Sequence, residues 1–130
     1  EAVRDHAHAK RIIDGIKAIH VHAGMAINPN TAPEKIHDLL ADLEMILVMT
    51  VYPGFSGQTF IPDVLNKITM LRKMQQLVGN HATLSLDGGI NMDTMPLVRE
   101  HQVQHVAIAT AIFGQPDPAS AIKQLYTSGN

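Results

Sequence analysis

The 130-residue chain contains no cysteine. That excludes disulfides and thiolate metal sites, and it suits a cytoplasmic protein. There is no basic run and no patch of interleaved basic and aromatic residues, and the formal net charge is −2. Nucleic acid is therefore not expected as a partner. The longest apolar stretches, such as Met45 to Val51, fall far short of the ~20 residues a membrane helix needs, so no membrane partner is expected. No signal-peptide pattern is visible. The chain opens at Glu1 rather than at a methionine, directly in a helical pattern with no cap before it. A processed product or a fragment is expected from that opening.

Apolar residues make up 45% of the sequence and charged residues 17%, which is ordinary for a globular protein with a core of its own. No linker or low-complexity segment divides it, so residues 1–130 read as a single domain. Val3, Ala7, Ile12, Ile13 and Ile16 predict a helix over 3–18, and Ile19 to Ile27 a strand stopped by Asn28-Pro29. Thr31 as N-cap and Pro33 in the first turn predict a helix over 33–42. Met45 to Val51 reads as a buried strand, followed by a glycine-rich loop from Tyr52 to Thr59. A helix over 62–78 ends at Gly79-Asn80. Ala82 to Leu86 is a short strand, Asp93 a cap for a helix over 94–100, Val103 to Ala109 a fourth strand, and 118–126 a last helix.

The order is α-β-α-β-α-β-α-β-α. Strict alternation with short loops implies an α/β fold, a parallel sheet covered by helices with right-handed crossovers, and burial of such sheets explains the solidly apolar second and fourth strands. A repeat of roughly 25–35 residues per β-α unit is the period of barrel architectures.

Ligands of such folds meet the carboxyl ends of the strands. Those ends are Asn28-Pro29, the segment Tyr52 to Gln58, Asp87-Gly88-Gly89 and Ala109-Thr110-Ala111. Glycines let successive backbone N–H groups point into one cavity, and such a nest binds an oxyanion without lysine or arginine. Each glycine pair alone reads equally well as a tight turn; three such loops at successive strand ends point to phosphate. Asp87 is the carboxylate at the end of an apolar strand. It reads as a metal ligand or an acid–base group, with a structural Asp-Gly turn as the alternative. Eight histidines raise a metal site. His20 and His22 would share a strand face, but they lie at the strand's start, and the rest read as structural or exposed. Met49 lies near a strand end facing the site.

The segment Leu47-Val48-Met49-Thr50-Val51-Tyr52-Pro53-Gly54-Phe55-Ser56-Gly57-Gln58 resembles the VMTVNPGFGGQ signature of ribulose-phosphate 3-epimerases. Phe60-Ile61-Pro62 and Lys67-Ile68 continue the match, and Ala23 to Pro29 is similar to the family's AGVALNP strand. Leu86 to Ile90 resembles its VDGGI strand end, and Ala111-Ile112-Phe113 its SAIF segment. The resemblance implies a TIM (β/α)8 barrel in which this chain supplies helix 4 and β-α units 5 to 8, a half-barrel. Glu1-Ala2 resembles the EA that follows a metal-binding histidine at the end of the third strand. The family interconverts D-ribulose 5-phosphate and D-xylulose 5-phosphate by moving the C3 proton through an enediolate. It uses two aspartates and a divalent metal held by two histidines and those aspartates.

By this resemblance Asp87 is one acid–base and metal ligand, the metal being Zn, Mn, Fe or Co, and Met49 covers the enediolate. Gly54, Phe55, Ser56 and Gly57 form one phosphate loop, Gly88 and Gly89 a second, Ala109 and Thr110 a third. No histidine here matches a ligand position, so the chain alone is expected to be incomplete for catalysis. Tyr52 departs from the usual Asn, Ser56 from a Gly, and Ala109-Thr110 from Gly-Ser. Tyr52 with Ser56 also admits D-allulose-6-phosphate 3-epimerase, a sister activity, and a non-catalytic phosphate-binding half-barrel is the further alternative. Expected partners are the sugar-phosphate substrate and either a second copy or the remaining half-barrel, because a four-stranded parallel sheet leaves two open edges and an apolar face.

Overall fold

Asp5 starts the first helix: its carboxylate accepts the His8 N–H at 2.8 Å, which satisfies one free donor of the first turn. The computed structural model describes residues 3–55 and 57–128. Helix α1 (His6–Ala18) is followed by strand β1 (Gly24–Ile27), a 3₁₀ segment (Pro33–Asp42) and β2 (Met45–Met49). A short 3₁₀ turn (Pro62–Leu65) leads into α2 (Asn66–Val78), then β3 (Thr83–Asp87), α3 (Met95–Glu100), β4 (His105–Ala107), α4 (Thr110–Phe113) and α5 (Pro118–Thr127). All strand pairs are parallel, and the sheet order β1-β2-β3-β4 follows the chain.

The predicted alternation is present, with differences at the element ends. The first helix does have a cap, Asp5. The strand expected from Ile19 begins only at Gly24. Residues 19–20 instead finish the helix, and His20 takes a left-handed φ of 59° there, so His20 and His22 share no strand face. Segment 33–42 starts from Ala32 without a side-chain cap and is 3₁₀ in form, not capped by Thr31. Asp93 caps nothing. The Asn91 carboxamide oxygen takes the N–H groups of Asp93 and Thr94 instead. The fourth strand, read as Val103 to Ala109, is three residues long, and a short helix not expected from the sequence, α4, follows it. Glu1 and Ala2 lie outside the described residues.

Register decides which side chains share a face, since neighbours along a strand alternate. Ile27, Ile46, Val48, Leu84 and Leu86 form one buried face. Leu39, Leu40, Leu43, Ile68, Leu71 and Val98, from the segments covering it, join them in one core. The opposite face is open, as expected for part of a barrel. Gly24, Ala26, Met45, His105 and Ala107 are exposed on it, Met45 at 40%, and Leu47 and Met49 are half-buried. Helices therefore cover one face only. Ser85 is the exception on the open face: it is 5% exposed, and its Oγ is buried without a hydrogen-bond partner.

Candidate functional site

The carboxyl edge of the sheet opens into a cleft of about 1020 Å³. Met49 and Asp87, the last residues of β2 and β3, are register partners, and both line it. Gly54, Phe55 and Gly57 line it from the loop after β2, Gly88 and Gly89 from the turn after β3, and Ala109 and Thr110 from the start of α4. The three strand-end loops thus meet around one space, with Asp87 half-buried in its wall. Ser56, the remaining predicted contact, lies outside the described residues.

Each loop is shaped for a different reason. Gly54 and Gly57 adopt φ of 145° and 81°, and a Cβ on either would meet nothing within 4 Å. Their glycines answer a backbone need and leave the loop open. The Gln58 amide closes the turn from within, donating to the carbonyls of Tyr52 and Phe55. Gly88 and Gly89 differ. A Cβ on Gly88 would lie 2.4 Å from a Val51 methyl, and one on Gly89 would lie 2.7 Å from the Phe60 nitrogen. The β3 turn is therefore packed directly against both ends of the β2 loop. Among the loop and turn bonds of the described residues, neither the Gly88 nor the Gly89 N–H has a backbone acceptor.

Among the described residues no lysine or arginine lines the cleft; Asp87 and Asp93 are the charged groups there. An anion here would be held by backbone N–H groups and hydroxyls. Lys67 stands behind the site. Its ammonium donates to the carbonyls of Asn28, Pro29 and Thr31 at 3.0, 2.7 and 2.6 Å, fixing α2 to the loop after β1. Burial pushes its pKa below the ordinary 10.5.

Sequence reading placed Thr50, Gln58 and Lys67 in the family match but gave them no role. Thr50 showed only as a hydroxyl inside an apolar run, and the lone polar residue of a buried strand is the signal that could have found it. A separate apolar cleft of about 290 Å³, bounded by Val98, Val106, Ile122 and Leu125, offers no carboxylate or imidazole.

The "Ribulose-phosphate 3 epimerase family" model matches residues 2–113. The chain belongs to that ribulose-phosphate 3-epimerase family. It is 43% identical over 115 residues to the ribulose-phosphate 3-epimerase of Methanocaldococcus jannaschii, covering 88% of this chain and 49% of that protein. It is 40% identical over 122 residues to the enzyme of that name from Bacillus subtilis, covering 93% and 56%. The chain thus spans about half the length of the curated relatives it matches. A crystal structure of 3-hexulose-6-phosphate synthase superimposes with a TM-score of 0.64 over 94% of this chain and 56% of that one, at 17% identity. At that identity the likeness speaks for fold: the four units form part of a TIM-type barrel.

Asp87 is one carboxylate, and among the described residues no three His, Asp or Glu side chains converge to hold a metal ion. A divalent cation needs several convergent ligands. The residues of this chain therefore do not by themselves fit the family's metal. Among the described residues no helix is long and apolar enough to cross a membrane.

Proposed function

We propose that this chain is the phosphate-gripping half of a cytoplasmic sugar-phosphate 3-epimerase, an isomerase that interconverts D-ribulose 5-phosphate and D-xylulose 5-phosphate. The observation that carries this reading is the arrangement at one sheet edge. Asp87 shares a single cleft with Gly54, Gly57, Gly88, Gly89 and Thr110. The amides and hydroxyl would hold the phosphate, which places the sugar chain along the wall that ends in Asp87. The carboxylate would take the C3 proton, whose acidity comes from the neighbouring C2 ketone. The C3–H electrons move into the C2–C3 bond, giving an enediolate, and a proton returned to the other face of C3 completes the inversion. Met49, beside Asp87, would cover that planar intermediate with a soft apolar surface.

The second acid–base and the remaining ligands of a Zn, Mn, Fe or Co ion would come from the complementary half-barrel. Three features of the sheet support such pairing: β1 and β4 are open edges, Met45 is exposed on the uncovered face, and Ser85 Oγ there lacks a partner. Covering apolar surface gains roughly 25 cal/mol per Å², and an incoming group could satisfy the serine. A second copy is the other occupant, and a size measurement showing a stable folded monomer counts against both.

Tyr52, which stands at the cleft where the family usually has Asn, is with Ser56 the basis of a second substrate reading, D-allulose 6-phosphate. Comparing the affinity of the two sugar phosphates decides between them. The reaction is tested by C3 proton exchange of ribulose 5-phosphate in heavy water, with Zn or Mn added, beside Asp87→Asn. The expected result for the chain alone is saturable sugar-phosphate binding without exchange. Exchange abolished by D87N would instead mean that self-association rebuilds a working site. Absence of both binding and exchange would overturn the phosphate reading.

A further inference from the structure

The geometry points to Thr50 as the positioning residue that holds the Asp87-Gly88-Gly89 turn in register with the β2 loop. This rests on the phosphate-site reading above and says what shapes that site.

Thr50 is fully buried, at 0% exposure, just beyond β2. Its N–H donates to the Asp87 carbonyl at 2.8 Å. Its hydroxyl lies 2.9 Å from that carbonyl and 2.5 Å from the carbonyl of Gly88. Its own carbonyl accepts the Ile61 N–H at 2.9 Å. All the polar groups of this one residue are thus spent on fastening two loops: Ile61 ends the loop that Thr50 begins, and Asp87-Gly88 opens the next.

The consequence follows from peptide geometry. In a planar trans peptide the C=O and the following N–H point in opposite directions. Drawing the Asp87 and Gly88 carbonyls toward buried Thr50 turns the N–H groups of Gly88 and Gly89 away from it. Those are the amides that lack a backbone acceptor. The same contact fixes the backbone from which the Asp87 carboxylate projects. A hydroxyl has one proton to give, and with two acceptors in reach it couples both peptide planes. Valine would fill the space but could not make this bond.

The test compares Thr50→Val with Thr50→Ser in this chain, using inorganic phosphate as the probe and amide resonances of Gly88 and Gly89 as the readout. Measurements are made well below the unfolding temperature. The expected result is phosphate affinity close to wild type for T50S and at least ten-fold weaker for T50V, with both glycine resonances displaced only in T50V. A T50V chain that binds phosphate as wild type does, with those resonances unmoved, overturns the proposal. Equal loss in T50S and T50V also overturns it, since the loss would then not follow the hydroxyl. If T50V does not fold, Thr50→Ala against Thr50→Ser makes the same hydroxyl-only comparison. If wild type binds no phosphate, the site reading fails separately, and the glycine resonances decide Thr50. Displacement of both in T50V and not in T50S supports the proposal, and resonances unmoved in T50V sink it.

Discussion

Two pairs of glycines face the same cleft and are glycines for different reasons. Gly88 and Gly89 sit where any Cβ would run into Val51 or the Phe60 backbone. Gly54 and Gly57 sit in open space, at φ values that side chains rarely adopt. The first pair is specified by packing between loops added to positive φ of 117° and 64°, and the second by backbone shape alone. A glycine-rich loop therefore carries two separable kinds of information.

Substitutions can break this contrast. Gly89→Ala should be the most damaging, combining a left-handed backbone with overlap onto Phe60. A loss of about 3–5 kcal/mol in a denaturant titration is expected. A loss under about 1 kcal/mol would mean that the two loops part easily and that the packing half of the contrast is wrong. Gly57→Ala meets no neighbour and should cost only the backbone term, about 1–2 kcal/mol, while weakening phosphate-ester binding. His20 supplies the converse. It holds φ of 59° without being glycine, in the conformation that Gly79 adopts at the end of α2. His20→Gly should raise stability by about 0.5 kcal/mol, the strain relieved less the added freedom of the unfolded chain. A fall in the thermal midpoint would show that the imidazole makes contacts worth more than the strain.

Much of the fold was legible because alternating apolar runs and Gly or Pro punctuation are local signals. The strands, the long helix α2 with its left-handed Gly79, and the strand-end loops all carried them. What failed depended on neighbours distant in sequence or on a few residues. Ile19 and Val21 look like strand, but the chain there is still leaving α1 through a left-handed His20. Helix α4 is four residues long, too short for any periodicity. The open sheet face was expected from the half-barrel, but which residues lie on it was not, because a solid run such as Met45 to Val51 does not reveal that only Ile46 and Val48 of β2 face the covering segments. Within the site, Asp87 and the glycine loops stood out because strand ends are where such folds place ligands. Thr50 did not, because its partners lie 37 and 38 residues away.

The sheet order has a consequence for how this chain acquires its shape. Each strand pairs with the strand before and after it in sequence, so no pairing has to wait for a segment from the far end. Loop-closure costs stay small, and contacts of short sequence separation favour rapid formation. A chain emerging from the ribosome could consolidate one β-α unit on the last, each new strand templated by the edge just completed. The newest edge would be exposed at every stage, so the growing rim of the sheet is the place where a stray strand could dock.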